Sequence, residues 1–353
     1  MNRFILINSL LLSSIAVSPC TLSDENRDIA DLKQRIAVLE NAKTSSQERA
    51  SWTNNMVVSG SLEFEASYED RDSDSSTSDL VLAAAELGID ATVTDHISAL
   101  VTLLYEEDGD GLDVDIATAS YSPSDNGFSF VLGQDYLPFG AYQTALVNDP
   151  LALDIGEARE TTFIINYETD VIGGALYIFN GDKDEDGKDK LVNYGARLAV
   201  GNEIFSVGLD YLSNLADSDG LQDNDFGYAT GADVVDGASV YGSINTGTVT
   251  IMAEHLSALG DFSGVGNGSE PSASQFELAV TTGNFTYALS YQQTDESVFI
   301  DLPEERLSVG FSTEILDGIS LGAQFQQDED YSVADGGSGN TTNAAVLQLA
   351  AEF

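Results

Sequence analysis

The 353-residue chain carries 59 acidic against 13 basic side chains, a formal net charge of −46, with one cysteine and two histidines. That surplus excludes nucleic acid as a partner, whose capture needs clustered Lys and Arg to displace counterions, and it favours cations or acidic loops facing solvent. With no G-x-S-x-G motif and no paired metal-ligand histidines, the chain lacks the parts of a hydrolase or metalloenzyme and reads as a non-enzyme without cofactor.

Residues 1–50 hold six basic and six acidic residues, so the whole net charge falls in residues 51–353 and a domain boundary is expected near residue 50. Residues 1–20 read as a signal peptide: Asn2 and Arg3, then the apolar run FILINSLLLSSIAV, then small residues up to Cys20. Cys20 is either the acylated residue of a lipoprotein box, for which Val17 and Pro19 are poor neighbours, or a residue lost at the cut. Residues 24–45 repeat with period seven. Ile29, Leu32, Ile36 and Leu39 take a and d positions, which suits either a short coiled coil that joins copies of the chain or a single helix packed on another surface. A polar linker, 46–56, follows and carries Trp52, an aromatic suited to a membrane interface.

From residue 57 to 353 the period is two. Leu62, Phe64, Ala66 and Tyr68 alternate with Ser61, Glu63, Glu65 and Ser67, and the same alternation recurs at Val101–Leu103–Tyr105, Val207–Leu209–Tyr211, Tyr287–Leu289–Tyr291 and Leu347–Leu349–Ala351. Segments of about ten residues have the length that a tilted strand needs to cross a bilayer. Seven short turns, such as Thr246-Gly247 and Gly283-Asn284, alternate with eight longer polar loops, which implies sixteen strands with both chain ends on the short-turn side. The expected fold is all-β: a 16-stranded antiparallel transmembrane β-barrel of the outer membrane of a Gram-negative bacterium, with both termini periplasmic. The last strand ends in Phe353, the aromatic terminus expected of a substrate of the outer-membrane barrel assembly machinery. Lipid and lipopolysaccharide would surround the barrel.

A sixteen-stranded barrel encloses an aqueous channel unless something fills it. Strand parity turns Glu63, Glu65, Asp113, Asp115, Arg197, Glu254, Glu277 and Arg306 inward. Arg197 and Arg306 either set up a local field at a constriction, as charged rings do in pores, or simply pair with neighbouring carboxylates. Asp182, Asp184 and Asp186 with Gly187 match the start of a calcium loop, but its twelfth position is Asn193 rather than Glu, and a solvated acidic hairpin tip explains the same residues.

One stretch, residues 133–161, breaks the pattern with Pro138, Phe139, Gly140, Asn148, Asp149 and Pro150. A structureless run of this length in a compact domain is usually functional. It either folds inward, bringing Asp149, Asp154, Glu157 and Arg159 to a constriction, or is only pinned to the barrel wall. Its segments Gly133-Gln134-Asp135-Tyr136-Leu137-Pro138-Phe139-Gly140, Asn148-Asp149-Pro150-Leu151 and Gly156-Glu157-Ala158-Arg159-Glu160-Thr161 resemble the corresponding stretch of the LbtU-like siderophore porin family, whose layout is similar over nearly the whole chain. The resemblance implies passive uptake of a ferric siderophore without an energising plug. A general cation-preferring porin and a structural or adhesive barrel remain open beside it.

Overall fold

A computed structural model describes residues 55–353 except 73–74, 108, 110, 125, 182–190, 224–233 and 263–268. The signal peptide, Cys20, the heptad segment and the acidic triplet Asp182, Asp184 and Asp186 lie outside the described residues. Sixteen strands follow one another: β1 (Met56–Arg71), β2 (Thr77–Thr94), β3 (Ile97–Glu106), β4 (Gly111–Tyr121), β5 (Phe128–Tyr136), β6 (Arg159–Glu168), β7 (Ile172–Asn180) and β8 (Asn193–Gly201). The second half comprises β9 (Phe205–Leu212), β10 (Gly237–Asn245), β11 (Val249–Ala258), β12 (Ser272–Thr282), β13 (Phe285–Asp295), β14 (Glu305–Leu316), β15 (Ile319–Glu329) and β16 (Thr341–Glu352). Each pairs antiparallel with its neighbours in sequence, and β1 pairs with β16, which closes the barrel.

Period-two alternation forms these strands, and closure satisfies their backbone groups, a requirement inside hydrocarbon. The burial pattern is the reverse of a water-soluble protein's. Leu132 (59% exposed), Leu176 (63%), Leu198, Phe276 and Leu347 point outward, whereas Asp210 (1%), Glu277 (0%), Ser290 and Gln292 are buried within. An apolar exterior running round the whole barrel far exceeds the patches that a soluble monomer exposes. Among the described residues no helix is long and apolar enough to cross a membrane, which leaves crossing by strands untouched.

The seam depends on one close approach. Gly60 and Phe353 exchange both backbone hydrogen bonds, at 2.9 and 3.0 Å, and a Cβ on Gly60 would stand 2.6 Å from the Phe353 ring. A side chain there would have to push the Phe353 ring aside and would also meet the Glu86 carbonyl at 2.9 Å. The short turns use positive-φ glycines, among them Gly247 (φ 84°) and Gly318 (φ 72°).

Candidate functional site: a loop across the lumen

Loop 137–158 turns inward at Leu137. Gly133 to Tyr136 complete β5, and Arg159 to Thr161 open β6, so both ends of the expected interruption belong to strands. A one-turn helix, α1 (Leu151–Gly156), closes the loop. Its apolar side chains, Leu137, Phe139, Leu151, Ala152, Ile155 and Ala158, join Tyr177, Phe179, Leu212, Leu215, Leu221 and Leu256 in one cluster inside the barrel. Burial of such a cluster stabilises by about 1.5–3 kcal/mol per large side chain, so the loop is a packed element.

The wall supplies the polar partners that the loop backbone needs. Gly140 N–H donates to Asp210 at 2.9 Å, Ala141 and Tyr142 N–H to Glu254 at 2.8 Å each, and Ala145 N–H to Glu277 at 2.6 Å. Further along, Val147 and Asn148 N–H share the Gln324 Oε1 at 2.9 and 3.0 Å, and Leu151 N–H donates to Gln292 Oε1 at 2.7 Å. The loop thus crosses from β9 to β15 before α1 returns it toward β13. Hydrogen bonds to ionised acceptors contribute about 1.5–3 kcal/mol each.

Tyr142 locks the turn. It adopts φ 49°, beside Gly140 at φ 76°, and its ring fills the space that a Cβ on Gly140 or Gly156 would need. A left-handed non-glycine residue costs about 1–3 kcal/mol and persists where its surroundings hold it; here two glycines and the Glu254 bond do so.

The inward residues expected from sequence fall into three groups. Glu254 and Glu277, 6% and 0% exposed, hold the loop from behind instead of facing open water. Arginines form a second group, and each is ion-paired. Arg159 meets Asp113 at 2.9 Å and Asp115 at 3.1 Å, and Tyr136 also donates to Asp115 at 2.8 Å. Arg197 meets Asp210 at 2.7 Å and donates to the Gly140 carbonyl, so it clamps the loop, and Arg306 forks onto Asp328 at 2.9 and 3.0 Å. The third group is five carboxylates that lie close enough to repel one another. Glu63 and Glu65, bridged by Gln348 Nε2 at 3.3 and 2.8 Å, lie on β1, and Asp149, Asp154 and Glu157 lie on the loop.

Burial, reinforced by Glu65, raises the Asp149 carboxyl above the usual range. Asp154 is exposed at the loop surface but closely surrounded by protein. Confinement pushes it up to about 6 against the opposing pull of Arg306. Glu157 rises to about 7, first through burial and then through Asp219, Asp149, Asp115 and Asp154. Among the described residues no group of three or more His, Cys, Asp or Glu is arranged to hold a metal ion.

Asp210, Gln324 and Gln292 are loop anchors that the sequence does not single out as such. Their parity was available, for Phe205, Val207, Leu209 and Tyr211 outward leave Asp210 inward, but nothing local marks an inward acid as an anchor.

Comparison with solved structures decides the architecture. The acinetobacterial outer-membrane channel DcaP aligns with TM-score 0.62 and 16% identity over 84% of this chain and 97% of that one. The fold is the porin fold. An anion-selective porin from Comamonas acidovorans aligns with TM-score 0.62 and 13% identity over 84% and 99% of the two chains. Salmonella typhi OmpF gives 0.59 and 12% over 84% and 97%. In sequence the chain is 26% identical to a UPF0422 protein of Coxiella burnetii over 78% of its length, and 23% identical to UPF0422 protein lpp3030 of Legionella pneumophila over 74%. It spans 64% and 56% of those relatives. No family model matches the chain.

Proposed function

We propose that this porin-fold chain is a passive diffusion channel of the Gram-negative outer membrane, selective for cationic and neutral hydrophilic solutes, with its long loops external and its termini periplasmic. The observation that carries the reading is the distribution of charge inside the barrel. Glu63 and Glu65 on the wall and Asp149, Asp154 and Glu157 on the loop form a set of carboxylates close enough to repel one another, while Arg71, Arg159, Arg197 and Arg306 are all engaged by acids. Rings of one charge sign select ions of the other. Planar-bilayer recording across a KCl gradient tests it: the zero-current potential takes the sign of K+ permeation, and a potential of opposite sign, or no conductance, removes the reading. The last outcome leaves a structural or adhesive barrel.

A narrower reading, passage of a ferric siderophore, is supported by the resemblance at residues 133–161, because residues 137–158 of that stretch fold inside the barrel. The acidic passage then requires a ferric complex that is neutral or positive. Growth on a supplied siderophore under iron limitation, with and without the gene, tests it; equal growth sinks the siderophore reading and leaves the general channel standing.

A further inference from the structure

Strands β4 and β5 separate before either one ends. β4 pairs with β3 from Tyr121 to Gly111, whereas its pairing with β5 stops at Ala117 and Gln134, and β5 runs on through Asp135 and Tyr136 paired only with β6. The cause lies in β4. Its register with β3 slips by one residue at Asp115, and such a bulge bends the strand and re-aims its side chains. The two strands therefore diverge as a fork at the long-loop end of the barrel. Beside the fork is the neck of the lumen loop, where the chain leaves the wall at Leu137 and returns at Ala158, with Leu137 N–H donating to the Ala158 carbonyl at 2.8 Å.

Side chains take the place of the missing ladder. Gln134 Nε2 donates to the carbonyls of Val114 and Asp115 at 2.7 and 3.2 Å, and Val114 N–H donates to the Asp113 carboxylate at 2.7 Å. Across the fork the Tyr136 hydroxyl donates to Asp115, and Arg159 reaches both Asp113 and Asp115. Tyr136 and Arg159 are also the two residues that flank the loop. The bonds that close the fork thus hold the neck against β4.

Two kinds of attachment therefore fix the loop, and they differ in their access to solvent. The anchors of its body are buried, with Asp210 1% and Glu277 0% exposed. The ion pair at the neck is not: the Asp113 side chain is 59% exposed and that of Arg159 27%. Salt weakens exposed pairs and spares buried ones, since the Debye length falls from about 10 Å at 0.1 M to about 3 Å at 1 M.

We infer that the fork is a salt-sensitive latch: as ionic strength rises, Arg159 releases β4 and the neck of the loop loosens while the body of the loop stays docked. Its effect on current rests on the chain being an open channel; the motion of the neck does not. Ala158 joins Glu157 to Arg159, so a loosened neck displaces one of the clustered carboxylates and the open-channel current fluctuates more.

The test reads the neck directly. Ala158 is 2% exposed, so the thiol of an Ala158→Cys variant is shielded while the latch holds. N-ethylmaleimide is uncharged, and salt does not steer its approach. Its reaction at residue 158 in proteoliposomes, followed by peptide mass, is expected to quicken about tenfold between about 0.1 and 1 M KCl, the factor that a shift of about 1.4 kcal/mol gives. Adding Asp113→Asn with Asp115→Asn should make the reaction fast at both salt concentrations. Arg159→Gln should do the same, whereas Arg159→Lys should keep the salt response, a rescue that an arginine serving only as packing would not show. Heat-modifiable gel migration verifies folding, and Leu137→Cys, on the other side of the neck, repeats the measurement where Ala158→Cys does not fold. Labelling that ignores salt, or a salt response unchanged by the Asp113 and Asp115 substitutions, overturns the latch even where the current is K+-selective. Salt-dependent labelling that those substitutions abolish, in a protein that passes no current, upholds the latch and removes the channel reading.

Discussion

Asp154 and Glu157 occupy the return arm of the loop, and their raised carboxyls make the passage sensitive to pH. An acid whose folded value lies above its unfolded one binds protons more readily when folded, so the docked loop is stabilised as pH falls from about 7 toward 4 and loses that contribution as pH rises. Charge follows the opposite course: Glu157 ionises near 7 and Asp154 near 6. Cation selectivity is therefore expected to grow between pH 5 and 8, and Glu157→Gln should remove the upper part of the rise. A flat zero-current potential over this range in the native protein refutes the assignment. The sequence placed both acids in the loop, but their titration depends on neighbours distant in sequence. Asp115 and Asp219 reach Glu157 only through the fold.

At the scale of elements, the loop behaves as a fitted part. A Cβ on Gly156 would stand 2.3 Å from the Leu256 side chain and 2.5 Å from the Tyr142 hydroxyl. Overpacking of this kind costs about 1–3 kcal/mol. Gly156→Ala is expected to lower the unfolding midpoint and to add open-channel noise as α1 lifts from β11 and β12, both read in the same bilayer and melting experiments; a silent substitution would mean that the return arm is loosely held. Strand number, the alternation of short turns with loops, and the inward parity of Glu63, Glu65, Glu254 and Glu277 were legible because period-two patterning is local. The roles of those acids were not, since parity gives a face and no partner. Glu254 and Glu277 meet loop amides more than a hundred residues away, whereas Glu63 and Glu65, with the same parity, meet no loop amide in the described hydrogen bonds.

For the whole molecule, inward carboxylates do two different jobs, and the surplus of negative charge conceals the division. Asp210, Glu254 and Glu277 spend their charge on backbone N–H groups and on Arg197, so little of it reaches the passage. Glu63, Glu65 and Asp149 repel one another, and only the neutral Gln348 amide bridges the two glutamates. Two triple variants that remove the same formal charge should then diverge. Neutralising Glu63, Glu65 and Asp149 as Gln, Gln and Asn should move the zero-current potential toward zero with single-channel conductance of the same order. Neutralising Asp210, Glu254 and Glu277 should leave the ion preference in place but release the loop, giving larger and unsteady conductance, because each buried amide left with a weakened acceptor costs about 1–3 kcal/mol. Equal shifts of the zero-current potential in both sets would mean that selectivity follows total lumen charge and that the loop's position does not matter. Divergence would tie selectivity to the strip of wall that the loop leaves uncovered.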